Sequence, residues 1–276
     1  MLTSLQGGQL FGERIGDGEL DVVALHGWGR THRDFRQVLS NDLSDHSDHS
    51  DHSDHSDHSD RSGGGGGGGG GGERVKFTSL AVDLPGFGSS PPPPTPWGTI
   101  EYARLIARVI DGEKVVLLGH SFGGRVAVKL AADHPGQVRG MVLTGVPFFS
   151  NPSSSNRPPA AFRFARFLHR AGLMSDDRME AARRRHGSTD YRNARGVMRD
   201  VLVKAVRESY EEELSRIACP VTLVWGDDDT ESPLTVARTA ADLLSNSKLT
   251  VCQNAGHLTP KSVPGELRAA VEGILF

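Results

Sequence analysis

Apolar and polar positions along the chain form two alternating patterns. Short, nearly continuous apolar runs read as strands buried on both faces: Asp21–Gly27 (DVVALHG), Phe77–Gly86 (FTSLAVDLPG), Lys114–Gly119 (KVVLLG), Val138–Gly145 (VRGMVLTG), Pro220–Gly226 (PVTLVWG) and Lys248–Gln253 (KLTVCQ). Between them lie segments with apolar residues three and four apart, which predict helices: Arg33–Leu43, Glu101–Ile110, Phe122–Pro135, Leu234–Leu244 and Pro264–Leu275. Strand and helix in alternation imply an α/β fold, a mostly parallel sheet with helices on both faces and right-handed crossovers.

Two stretches break the alternation. From about Val146 to Ser215 no strand is visible, while Arg157–Leu173 and Ala194–Leu214 both have helical spacing. This predicts a helical lid, residues 148–215, inserted between two strands of the sheet. It is rich in arginine, with Arg157, Arg163, Arg166, Arg170, Arg183, Arg184, Arg185, Arg192, Arg195 and Arg199. Such a run is ordinarily a solvated helical surface; the sharper expectation is a positive face that attracts an anionic or carrier-bound substrate. The second break is Ser44–Gly72, five Asp-His-Ser triplets followed by ten glycines. Asp, His, Ser and Gly bury too little to offset the entropy of ordering them, so this is expected to be a disordered low-complexity insertion. The remaining segments, 1–43, 73–147 and 216–276, then make one core.

Composition narrows the class. The net charge is −3, of which the tract's six Asp and one Arg contribute −5, leaving the rest about +2. That does not suit a nucleic-acid or membrane-surface binder. No basic region followed by an apolar run marks the N-terminus, and no stretch approaches the ~18 apolar residues of a spanning helix. A cytoplasmic location is expected. Cys219 and Cys252 fall at opposite ends of predicted parallel strands, which argues against a disulfide.

The candidate chemistry centres on Gly119-His120-Ser121-Phe122-Gly123, between a strand and a helix. This is the G-x-S-x-G elbow in the context it requires. The glycines remove side chains that would clash where strand and helix meet. Ser121 is presented at a helix N-terminus, where the Phe122 N–H can face a developing oxyanion. A serine needs a base, and His257 follows the last predicted strand. An acid must orient it; the preceding strand ends in Asp227, Asp228 and Asp229, and spacing alone leaves the three open.

On these motifs the chain, apart from the tract, resembles an α/β-hydrolase-fold serine hydrolase. In that family the acid commonly occupies the fourth position of G-x-x-D, often with proline four residues later. Gly226, Asp229 and Pro233 match, so the resemblance selects Asp229, with Asp228 next. The family's H-G-x turn supplies a second oxyanion N–H from its third residue. His26-Gly27-Trp28-Gly29 matches, making Trp28 the partner of Phe122, while its ring either lines the acyl pocket or packs. His26 is then a structural hydrogen-bonder, and Asp83, in the family-like Asp83–Ser90 (DLPGFGSS), caps backbone groups. Epoxide hydrolases and haloalkane dehalogenases of this fold use an aspartate nucleophile, which Ser121 excludes.

The resemblance implies hydrolysis of a carboxylic ester or related acyl bond of a small molecule through an acyl-enzyme on Ser121. It is loosely similar to the carrier-protein methyl ester esterases. C–C bond hydrolysis or cofactor-free perhydrolysis on the same residues, and a non-catalytic small-molecule receptor, are the alternatives. No cofactor is implied, and no nucleic-acid or membrane partner.

The tract joins a helix to a strand, so it is expected at the sheet edge opposite Ser121. Lengthening a short loop by this much costs only about 2 kcal/mol. Its His and Asp are metal-ligand types, but without a scaffold they make no dedicated site. Replacing Ser44–Gly72 by a four-residue linker should therefore leave turnover within about threefold and the melting temperature equal or slightly higher. Inhibition by EDTA that zinc restores, or a large loss of turnover in the deletion, would show the opposite.

Overall fold

The computed structural model describes residues 2–40, 76–150 and 189–276, with a few positions between 164 and 178. Eight strands form one sheet: β1 (Leu2–Leu5), β2 (Leu10–Ile15), β3 (Val22–Leu25), β4 (Ser79–Asp83), β5 (Val115–His120), β6 (Val138–Thr144), β7 (Val221–Gly226) and β8 (Ser247–Cys252). Their order is β1-β2-β4-β3-β5-β6-β7-β8. From β4 to β8 every pairing is parallel; β1 and β2 add an antiparallel edge.

The side-chain period of two sends alternate strand residues into two separate cores. On one face Val22, Ala24, Val116, Leu118 and Val142 meet Phe35, Val38 and Leu39 around α1 (Arg36–Leu39), and Leu267 and Val271 of a C-terminal helix, Pro264–Leu275. On the other, Val23, Leu25, Leu117, Leu143 and Trp225 meet Tyr102, Leu105 and Ile106 of α2 (Thr99–Val109) and Val126, Ala127 and Leu130 of α3 (Phe122–Asp133). Each fully buried large side chain contributes about 1.5–3 kcal/mol.

Between β6 and β7 the described helices are α4 (Thr189–Asn193), α5 (Val197–Ala205) and α6 (Glu211–Arg216). Then come α7 (Leu234–Leu243), α8 (Thr259–Ser262) and α9 (Pro264–Leu275).

Three expectations change. The N-terminal hairpin β1–β2 was not foreseen, since its alternation is short and is broken by Gly7 and Gly8, both at positive φ. The segment Ala194–Leu214 is two helices rather than one. It breaks at Val206–Tyr210 because Tyr210 turns inward: its N–H donates to Phe148 O (3.0 Å) and its hydroxyl to Glu208 (2.6 Å). The helix expected from Arg33 starts as a 3₁₀ turn, His32–Phe35, and becomes α-helical only over Arg36–Leu39. There Arg268 of α9 donates to the carbonyls of Val38 and Ser40.

The tract 44–72 and most of Arg157–Leu173 lie outside the described residues. The first described residue after the tract, Lys76, lies just ahead of β4, whose first residue pairs with the first of β3. That is the edge of the sheet opposite the end of β5. Both cysteines are free thiols.

Candidate active site

Ser121 follows directly on β5 and caps α3, with φ 50° and ψ −113°. A non-glycine residue there costs on the order of 1–3 kcal/mol, and only close packing of its surroundings can hold it. A Cβ on Gly123 would sit 2.0 Å from Leu25 O, and one on Gly119 2.6 Å from the Gly124 Cα. The strand-to-helix turn therefore closes only with glycine at both positions. The Ser121 N–H is fixed to Thr144 O at 2.9 Å, and its carbonyl accepts the first helical bonds from Gly124 and Arg125.

Asp229 sits three residues past β7 and is buried, whereas Asp227 and Asp228 are exposed. Its loop is tied down by Trp225, whose indole donates to Ser232 O (2.7 Å), and by the Ser232 hydroxyl on Val146 O (3.0 Å). Asp229 Oδ1 accepts from the N–H groups of Glu231 (2.9 Å) and Ser232 (2.8 Å). Oδ2 accepts from His257 Nδ1 at 2.9 Å. A Cβ on Gly145 would lie 3.0 Å from the His257 ring and 3.4 Å from Asp229 Oδ2, so this glycine makes room for the pair.

His257 lies on the loop after β8. Its carbonyl accepts from Thr259 N–H (3.0 Å) and from His120 Nε2 (2.9 Å). The Thr144 and Thr259 hydroxyls, 2.5 Å apart, join that loop to the end of β6. Burial works to lower the His257 pKa, but the Asp229 hydrogen bond and charge, with Glu231 and Asp190, outweigh it and leave the pKa raised. Glu231 Oε2 is 3.6 Å from Nε2, on the side of the ring away from Asp229.

Ser121, His257, Trp28 and Phe122 line one cavity of about 130 Å³, with Arg125, Asp190, Leu202, Val206 and Glu231 among its other walls. Trp28 occupies the turn after β3, closed by Arg30 N–H on Gly27 O (3.2 Å) with Gly29 at φ 67°. The N–H groups of Trp28 and Phe122 donate to no described residue. The Trp28 ring packs edge-on against Phe87 (4.9 Å) and Phe122 (5.4 Å), and Trp28 is also one of the residues lining the cavity.

Two further histidines, His26 and His120, are neutral fixtures. His26 donates from Nδ1 to Gly27 O (2.7 Å) and accepts Leu84 N–H at Nε2 (2.9 Å), which fixes one tautomer. Burial pushes its pKa down to about 4. His120 is likewise lowered to about 4 by burial and then by His257. Asp83 accepts from His32 N–H and Ser89 N–H (2.8 Å each) and from His32 Nδ1 (2.8 Å), a capping role as expected.

Arg125, Asp190, Glu231 and Gly145 were not singled out for the site from sequence. Glu231 stands beside the acid motif, but nothing in the spacing aims it at His257. Among the described residues no group of His, Cys, Asp and Glu could hold a metal ion, and no helix is long and apolar enough to cross a membrane.

An elbow serine opening a cavity beside an Asp–His pair, on a sheet of this order, defines an α/β-hydrolase architecture. The alpha/beta hydrolase family model matches residues 22–270, and the chain belongs to that family. It is 28% identical over 205 residues to a 2-hydroxy-6-oxononadienedioate/2-hydroxy-6-oxononatrienedioate hydrolase of Cupriavidus pinatubonensis, covering 64% of this chain and 69% of the relative. It is 29% identical over 216 residues to a pimeloyl-[acyl-carrier protein] methyl ester esterase of Neisseria meningitidis, covering 71% and 68%. A thermophilic esterase from Thermogutta terrifontis superposes with a TM-score of 0.62 at 21% identity, over 96% of this chain and 92% of that one. The protein is an enzyme of the hydrolase class.

Proposed function

We propose that the protein is a serine esterase that cleaves a carboxylic ester of a small molecule through an acyl-enzyme on Ser121. The observation that carries the proposal is the strained Ser121 opening into the same cavity as His257, whose Nδ1 is held by buried Asp229. Asp229 holds the proton on Nδ1, which leaves Nε2 as the base. His257 takes the Ser121 proton as Oγ attacks the ester carbonyl. The free N–H groups of Trp28 and Phe122 stabilise the tetrahedral oxyanion. His257 then protonates the departing alcohol and activates water for deacylation.

The curated relatives support both ester cleavage and, as a second reading favoured by the dienedioate hydrolase, C–C bond hydrolysis on the same groups. A fluorophosphonate probe and a substrate panel separate the possibilities. Labelling at Ser121 with turnover of short-chain esters is the expected result. Labelling with turnover of a vinylogous diketone alone points to C–C cleavage. Absence of labelling in folded protein points to a receptor.

The helices between β6 and β7 form the lid of this proposal. Of the lid arginines named above, Arg192, Arg195 and Arg199 are described; the others lie outside the described residues. If that face attracts an anionic or carrier-bound substrate, kcat/KM for an acidic carrier-bound ester falls steeply with salt in the same panel, while a neutral ester barely responds.

The raised His257 pKa sets the acidic limb of the pH profile, since the base works only when neutral: kcat/KM rises as pH passes upward through it. Glu231→Gln removes one of the negative charges holding that pKa up. Its acidic limb should move to lower pH. A limb that stays in place would show that solvent screens Glu231, which is 70% exposed.

A further inference from the structure

Arg125 carries a charge that no described residue neutralises. It lies one helical turn beyond Ser121 on α3, is buried to 7% exposure, and lines the same cavity. Side chains on a helix lean toward its N-terminus, here toward the elbow. Nη1 donates to Ala205 O at the end of α5, Nε is sealed from solvent with no partner, and Nη2 donates to no described residue. The guanidinium carbon is 6.0 Å from the centre of the Tyr210 ring.

Among the described residues, the acids near its guanidinium, Glu208 and Glu213, are engaged elsewhere. Glu208 accepts from Thr99 N–H (3.2 Å), the Thr99 hydroxyl (2.6 Å) and the Tyr210 hydroxyl (2.6 Å). Glu213 is paired with Lys129. Glu208 and Tyr210 act on Arg125 only from a distance, and burial outweighs them in lowering its pKa. A buried guanidinium without a carboxylate is costly, and the cost is offset when an anion reaches it.

Charge within the cavity is also segregated. Glu231 and Asp190 act on His257, whereas Arg125 lies against the end of α5. The walls shared with Arg125 there, Leu202, Ala205 and Val206, are apolar, which strengthens any ion pair formed among them.

Resting on the acyl-enzyme reading above, we infer that the substrate is an ester that itself carries a carboxylate, and that Arg125 binds this carboxylate at the α5 end of the cavity while Ser121 attacks the ester carbonyl. Arg125 is then a specificity residue for anionic esters.

Two pairs of substrates test this. Monomethyl esters of C5–C7 dicarboxylic acids are compared with methyl esters of the plain acids of equal length, which places the carboxylate on the acyl half. Butyryl glycolate is compared with ethyl butyrate, which places it on the alcohol half. The wild-type enzyme should prefer the anionic member of one pair by about 10–100-fold in kcat/KM, the size expected for a charged hydrogen bond. Arg125→Met should bring that ratio close to one. Arg125→Lys, which keeps the charge but not the planar fork, should retain part of it, and serves if Arg125→Met does not fold.

Equal turnover within both pairs by the wild type, or equal losses on anionic and neutral esters in Arg125→Met, would overturn the inference and leave Arg125 as a brace between α3 and α5. Calorimetric titration of Ser121→Ala with the same intact esters separates this from the reaction itself. Arg125-dependent binding of an anionic ester by Ser121→Ala, with no ester turned over by the wild type, would sustain the anion site while refuting the esterase proposal.

Discussion

Ser121→Ala lowers kcat on any ester substrate by about 10⁴-fold or more, and His257→Ala lowers it by a similar factor. Both variants should melt cooperatively near the wild-type temperature. The Ser121 hydroxyl makes no hydrogen bond to a described residue, so its removal leaves no buried polar group unpaired. The loss is large because nucleophile and base act as one unit: without Oγ there is no acyl-enzyme, and without the imidazole the serine proton has no acceptor. The double variant should therefore be little worse than either single one, the residual rate coming from the Trp28 and Phe122 N–H groups and from binding. Pre-steady-state measurement with a chromogenic ester checks the point, since the burst of released alcohol disappears in Ser121→Ala. A variant that keeps the burst would place the nucleophile elsewhere.

The sequence made the frame of this site legible because strong local signals and fold geometry agree there. The run Lys114–Gly119 has no alternation, so it had to be buried on both faces, and β5 is buried throughout. The glycines around Ser121 have one physical use, a close strand–helix turn, and the distances at Gly119 and Gly123 bear this out. His257 and Asp229 could be placed at the correct sheet edge because both follow the C-terminal ends of parallel strands.

What stayed hidden depends on contacts between segments far apart in sequence. Gly145 reads only as the end of a strand until His257 and Asp229 are seen beside it. The break at Val206–Tyr210 overrides good helical spacing because Glu208 and Tyr210 find Thr99, more than a hundred residues earlier. Arg125 sits on a helix whose pattern reads as core, and its significance arises from having no carboxylate partner among the described residues. Such absences have no periodicity and cannot be read from spacing.

Asp229→Asn should lower kcat by about 10⁴-fold, whereas Asp228→Asn should change it by less than about threefold. The asymmetry follows from the hydrogen bonds. Asp229 accepts on both oxygens, two backbone N–H groups at Oδ1 and His257 Nδ1–H at Oδ2. An asparagine there turns its oxygen toward the two backbone donors, because the reverse orientation sets N–H against N–H. Its amide group then donates to His257 Nδ1. That fixes the imidazole as the Nε2–H tautomer, which cannot take a proton from Ser121. The Asp228 N–H bonds Ala255 O at 3.1 Å, but its side chain is exposed, so the substitution disturbs little more than loop solvation. Kinetics of the two variants decide the assignment, and proton NMR supplies a second reading: the Nδ1 proton of His257 should be lost in Asp229→Asn and retained in Asp228→Asn. If Asp228→Asn proves the more damaging change, the acid has been assigned to the wrong residue.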